Sequence, residues 1–110
     1  MKQISIEQAA MRIAQALPGD GAFLCVGGKR PNTMTIGWGG LTYFWGKHVF
    51  LAPVRPQRFT HPLLEQEGEF TVCVPAPGEM RKALAQAGTL SGRDGDKFAA
   101  IGLETLPGRA

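Results

Sequence analysis

Near the start of the chain, Ile6, Ala9, Ala10, Ile13 and Leu17 recur at the spacing of one helical face, and Ser5 with Gln8 three residues on makes a capping box. The pattern predicts a helix that Pro18 and Gly19 stop. GAFLCVGG then reads as a short apolar strand running into a turn through Lys-Arg-Pro-Asn, and TMTIGWGG as a second strand paired with it. Alternation in the second strand separates Thr33, Thr35 and Gly37 from Met34, Ile36 and Trp38, so its two sides differ in polarity. Glycines at 37, 39 and 40 weaken a strand, which implies a bulge or a close approach of something flat or bulky to that backbone.

LTYFWGKH reads as an aromatic loop or bulged strand, and HVFLAPV as a third strand whose Pro53 marks an edge or bulge. Thr60 can cap a short helix through Pro62, Leu63, Leu64 and Glu67 that Gly68 ends. EFTVCV supplies a fourth strand bounded by PAPG. GEMRKALAQAG then predicts a helix with Met80, Ala83, Leu84 and Ala87 on one face and Gly88 as its stop. A polar turn, TLSGRDGDKF, precedes a short apolar helix, KFAAIGL, and an extended ETLP. Four or five antiparallel strands with three or four short helices, and no internal repeat, imply one α+β domain or small barrel over residues 1–110.

Composition narrows the class. At 110 residues, 44% hydrophobic and 19% charged, the chain is of single-domain, globular type, and 15 glycines with 8 prolines favour a turn-rich, mainly β design. The 12 Lys and Arg exceed the 9 Asp and Glu too slightly for a nucleic-acid footprint, and no basic aromatic ladder accompanies them. A small anionic ligand fits that balance better. Glu7, Gln8, Arg12 and Gln15 break the apolar run a signal peptide needs, and no stretch nears the ~18 apolar residues of a membrane span. A cytoplasmic protein without membrane contact is expected. Cys25 and Cys73 sit in apolar strand-like runs without CxxC spacing, which makes them buried thiols; a disulfide between them stays open.

Common catalytic motifs are missing: no GxGxxG after a strand, GxxxxGK[ST], HExxH or GxSxG occurs. His48 and His61 lack an obvious acid partner and read as ordinary surface or strand-end residues. VRPQRFT is more informative. It places Arg55, Arg58 and Thr60 between a strand end and a helix N-terminus, where free N–H groups and the helix dipole favour an anion and arginine adds a fork of donors for phosphate oxygens. Two solvated arginines would leave the same trace. Ser91 and Lys97, among the glycines of TLSGRDGDK, are further donors, although Asp94 and Asp96 fit turn and helix-cap roles.

The motifs N-x-M-T-x-x-W (32–38), R-P-x-R-[FY]-T (55–60) and S-G-R-D-x-D-K-F (91–98), in this order, resemble the flavin reductase-like family, the FMN-binding split-barrel group of flavoredoxin, from about Gly21 to Pro107. The resemblance implies an α+β, mainly antiparallel split barrel and FMN as cofactor. It places Asn32 and the backbone of Thr33, Met34 and Thr35 against the pyrimidine side of the flavin, with Trp38 beside it. Arg55, Arg58 and Thr60 would hold the phosphate, Phe59 between them would also be part of the cofactor site, and Ser91, Gly92 and Lys97 would close on the ribityl chain and phosphate. Trp45 and Trp38 both remain candidates for the core.

Family members continue past the equivalent of Pro107 with strands that complete the barrel and usually build a homodimer. A chain ending at Ala110 is then C-terminally shortened: either a truncated form, or one in which dimerisation covers the open strand edges. The implied activity is an FMN-dependent oxidoreductase, passing electrons from NADH, NADPH or a protein electron donor and needing no side-chain acid or base. Its rivals are an electron carrier without nicotinamide activity and a flavin-free split-barrel binding or assembly module.

Overall fold

The computed structural model describes residues 4–76 and 78–91. Two antiparallel sheets and three helices make up this part. The larger sheet has the order β2-β1-β5, from β1 (Ala22–Val26), β2 (Asn32–Ile36) and β5 (Thr71–Cys73). The smaller is a hairpin of β3 (Gly40–Phe44) and β4 (Lys47–Leu51). Helix α1 covers Ile6–Ala16, α2 Thr60–Glu67 and α3 Arg81–Thr89. The α+β, mainly antiparallel class read from the sequence is what the chain adopts.

Both faces of β2 are covered, although the sequence gives them opposite polarity. Met34 and Ile36 join Ala22, Leu24, Val26 and Leu17 in the larger core, against which Ile13, Phe50, Leu63, Leu64 and Val72 pack. On the other face, Phe23 packs with Leu84 and Ala87 of α3, flanked by Cys25 and Ala83. The threonines on that face tolerate burial because carbonyl oxygens satisfy them: Thr33 Oγ1 donates to Leu24 O at 3.2 Å, and Thr35 Oγ1 donates to Leu84 O.

Several local expectations change in three dimensions. The capping box at Ser5 and Gln8 forms in both directions, yet no residue of α1 is fully buried and Ile6 stays exposed. Thr60 does not cap α2; it is the first helical residue, with Phe59 at the cap position and no side-chain cap bond. Helix α3 starts at Arg81 instead of Gly78, because a turn closed by Glu79 N–H on Ala76 O is followed by Met80 at φ 58. Met80 is therefore exposed and not part of the buried face. Gly88 does not stop α3 but lies inside it, where a Cβ would come within 3.4 Å of Thr35 Cβ.

LTYFWGKH is neither loop nor bulge. It is the tip of a regular hairpin in which Phe44 pairs with Lys47 across Trp45 and Gly46, both at positive φ (51° and 73°), as the tight turn matched to strand twist requires. Trp45 is 92% exposed there and does not fill the core. The close approach predicted near Gly39 is real but internal: at φ 140 its Cβ would fall 2.4 Å from Leu51 O, so the chain's own backbone occupies that space. Cys25 is half-buried and Cys73 exposed, both free, so the pair is not the buried one expected. The polar turn after Ser91, KFAAIGL and ETLP lie outside the described residues.

Leu24, 1% exposed in the larger core, is the most revealing position to empty. Leu24→Ala should lower unfolding free energy by about 2–5 kcal/mol, whereas the exposed Met11→Ser should change it by less than about 0.5 kcal/mol. Urea unfolding followed by circular dichroism checks both.

Candidate functional site

A cleft of about 230 Å³ runs along the end of β2 and is lined by Met34, Thr35, Ile36, Gly37 and Trp38 on one side and Pro53, Arg55 and Arg58 on the other. Among the described residues β2 pairs with β1 alone and is an edge strand of its sheet. Backbone N–H and C=O groups of an edge strand can hydrogen-bond a planar partner.

The opposite wall explains the spacing of the two arginines. Arg58 N–H donates to Arg55 O at 3.0 Å, closing a four-residue turn with Pro56 in its second position, where proline's fixed φ is pre-set. His61 N–H then donates to Arg58 O at 3.1 Å as the chain enters α2. Turn and helix start thus bring both arginines to the lining of one cleft. Among the described residues neither Arg55 nor Arg58 is paired with a carboxylate, and both are exposed.

Asn32 and Thr60, each 2% exposed, meet beneath this wall: Asn32 Nδ2 donates to Thr60 Oγ1 at 2.9 Å. The bond ties the first residue of β2 to the first of α2. It also places these two motif residues together, though their side chains are spent on each other. Phe59 is half-buried, and the Arg30 guanidinium sits 4.7 Å from its ring centre. Arg30 was not among the residues singled out from sequence, since a cation one strand away gives no sign of the ring it will cover. Pro53 and Ile36 were likewise missed as lining, with their neighbours' motif membership the available signal, whereas Gly37 lies where the sequence placed a close approach.

The structure brings Met34, Thr35, Trp38, Arg55 and Arg58 into the cleft. Trp38 stands at its mouth, 74% exposed. Thr33 is turned away, with its hydroxyl on Leu24 O. Ser91 is half-buried and is not part of the lining, while Gly92 and Lys97 lie outside the described residues. His61 does find an acid partner, the exposed Glu65 at 3.4 Å one turn along α2, but this pair lies apart from the cleft lining. Among the described residues no group of three or more His, Cys, Asp or Glu could hold a metal ion, and no helix is long and apolar enough to cross a membrane.

Residues 18–110 match the Flavin reductase like domain, and the chain belongs to that family. An uncharacterized protein of Archaeoglobus fulgidus is 37% identical over 82 residues, covering 74% of this chain and 45% of that protein. Among solved structures, flavoredoxin of Desulfovibrio vulgaris (Miyazaki F) superposes with a TM-score of 0.70 at 27% identity, over 79% of this chain and 48% of flavoredoxin. The chain spans about half the length of these two relatives. The fold is therefore that of the flavin reductase-like split barrel over the shared part, and the family assignment supports a flavin-related redox role.

The Asn32–Thr60 bond should contribute measurably. Removing one partner leaves the other buried without its bond, so Asn32→Ala and Thr60→Val should each destabilise by about 1–3 kcal/mol. A double-mutant cycle on urea unfolding should give a coupling of about 0.5–1.5 kcal/mol; additive effects would show that the two side chains act independently.

Proposed function

We propose that this chain binds FMN in the cleft along β2 and acts as an oxidoreductase of the flavin reductase type, passing electrons from NADH, NADPH or a redox protein. The observation that carries the reading is the pair Arg55 and Arg58, exposed, lining one cleft, and without a carboxylate partner among the described residues. Buried or structural arginines are usually paired; two left open at a cleft beside a helix start suit a phosphate dianion.

The residues present fit the cofactor in chemical kind. The backbone from Met34 of β2 through Gly37 offers amide donors and acceptors for the polar rim of a flavin ring, and Trp38 offers an aromatic face. Asn32 and Thr60 hold the strand and helix that carry the two walls. In the same reading Phe59 supports the phosphate wall, and Ser91, Gly92 and Lys97 contribute contacts to ribityl and phosphate oxygens. FMN, when bound, supplies the electron-carrying ring; the protein binds, orients and sets the local charge. This division of labour accounts for a site without an acid–base dyad.

A homodimer belongs to the same proposal. Tyr43, Phe44 and Trp45 expose aromatic surface at the β3–β4 hairpin, with Leu51 exposed at its far end, a cluster suited to burial against a second copy. Trp45→Ser and Tyr43→Ser together should shift a dimer towards monomer in light-scattering chromatography; an unchanged mass would remove the hairpin from the interface.

The primary experiment is to mix the purified protein with FMN, desalt it and measure the visible spectrum. About one flavin per chain retained, bleached by NADH, NADPH or a protein donor without air, is the expected result. A folded but colourless protein would favour the flavin-free module instead. Arg55→Ala and Arg58→Ala should each weaken FMN about 10- to 100-fold, the worth of one charge-assisted contact, while leaving riboflavin, which lacks the phosphate, within about twofold. Equal losses for both ligands would place the arginines away from the phosphate.

A further inference from the structure

Outside the cleft, the two cysteines form an arrangement that the flavin reading does not use and on which it does not depend. In the pairing of β1 with β5, Cys25 stands opposite Thr71 and Cys73 opposite Phe23. The thiols are thus diagonal neighbours on one face of the sheet, the face that packs on α3. Cys25 is half-buried, its Sγ 3.5 Å from Thr33 Oγ1, while Cys73 is exposed on the three-residue edge strand β5.

We propose that Cys73 and Cys25 are a reactive dithiol that exchanges with low-molecular-weight disulfides, Cys73 as the attacking thiol and Cys25 as the resolving one.

The roles follow from surroundings as well as position. Contact with the neighbouring Cys25 thiol, with a further one from Thr71, lowers Cys73 to about 6, against the cost of partial burial. The same contact, with desolvation, pushes the Cys25 thiol up. Exposure and charge thus both favour the Cys73 sulfur as the attacking thiolate and the half-buried Cys25 as the thiol that resolves it. Cys73 Sγ attacks one sulfur of the small disulfide, whose S–S bond breaks and releases one thiolate. Converting Cys73 to a mixed disulfide removes the negative charge that held the proton on Cys25. Cys25 Sγ then attacks Cys73 Sγ, the protein S–S bond forms, and the second small thiolate leaves with the proton that Cys25 gives up. Two electrons pass from the protein dithiol to the small disulfide, which ends as one thiolate and one thiol.

Diagonal positions are farther apart than a relaxed disulfide allows, so closure draws β5 along β1. That strand is short and paired on one side only among the described residues, which lets it yield. The resulting bond should be readily reduced again.

The test treats the reduced 110-residue protein with glutathione disulfide without air and follows intact mass and peptide maps. Expected is a Cys25–Cys73 disulfide with no glutathione retained, reversed by excess reduced glutathione. Cys25→Ser, which keeps a hydroxyl donor beside Cys73, should stop at a glutathione adduct on Cys73. Cys73→Ser should react at least about tenfold more slowly. Circular dichroism checks that each variant is folded, and Cys25→Ala serves in place of a Ser variant that is not. An unreactive wild type, a wild type that ends as the Cys73 adduct or as disulfides between chains, or a Cys73→Ser variant as fast as wild type would each overturn the assignment.

Discussion

The amide of Asn32 donating to the hydroxyl of Thr60 is the contact through which the two walls of the cleft are fixed to each other. One residue opens the edge strand β2; the other opens α2, immediately after the turn that carries Arg55 and Arg58. Both side chains are almost fully buried, where an unsatisfied amide or hydroxyl costs far more than a bond at the surface returns. Strand and helix start are therefore held in one relation, and the arginine turn has little freedom to drift from the strand it faces. A carboxamide and a threonine 28 residues apart do what a longer hydrophobic interface would do in a larger protein.

The sheet itself is small, and its stability depends on covering both faces. The larger core uses the apolar side of β1 and β2 against α2, the end of α1 and the hairpin, while α3 covers the threonine side. That second interface is possible because Thr33 and Thr35 each donate to a carbonyl and because Gly88 lets α3 come close to Thr35. The same packing leaves Cys25 and Cys73 beside each other at the margin of the interface, with one sulfur sheltered and one accessible. Polar chemistry on this face is a consequence of how the helix is seated.

By contrast, the hairpin β3–β4 leaves large side chains exposed among the described residues. Its tip exposes Tyr43, Phe44 and Trp45, with Tyr43 edge-on to His48 at 5.2 Å between ring centres. Such a cluster is unusual for a surface in contact with water alone. The matched stretch covers just under half of each of the two relatives compared, so these surfaces are those of the shared part of the fold.

Element types and order were written locally. Ser5 and Gln8 announced α1, the apolar runs announced β1 and β2, Gly68 ended α2, and the Asn-x-Met-Thr and Arg-Pro-x-Arg motifs marked both walls of the cleft. These features depend on neighbours three or four residues away, which a sequence displays directly. What tertiary structure alone decided was where long-range partners stood. Thr60 gave up a capping role because Asn32 was waiting for it, Gly88 became a packing glycine because Thr35 approached, and Trp45 was left in solvent because a two-residue turn carried it to a tip. Arg30 found the ring of Phe59, and Cys25 found Cys73. Each of these pairings spans between 28 and 53 positions, and no local pattern encodes which of many compatible partners chain packing will bring into contact.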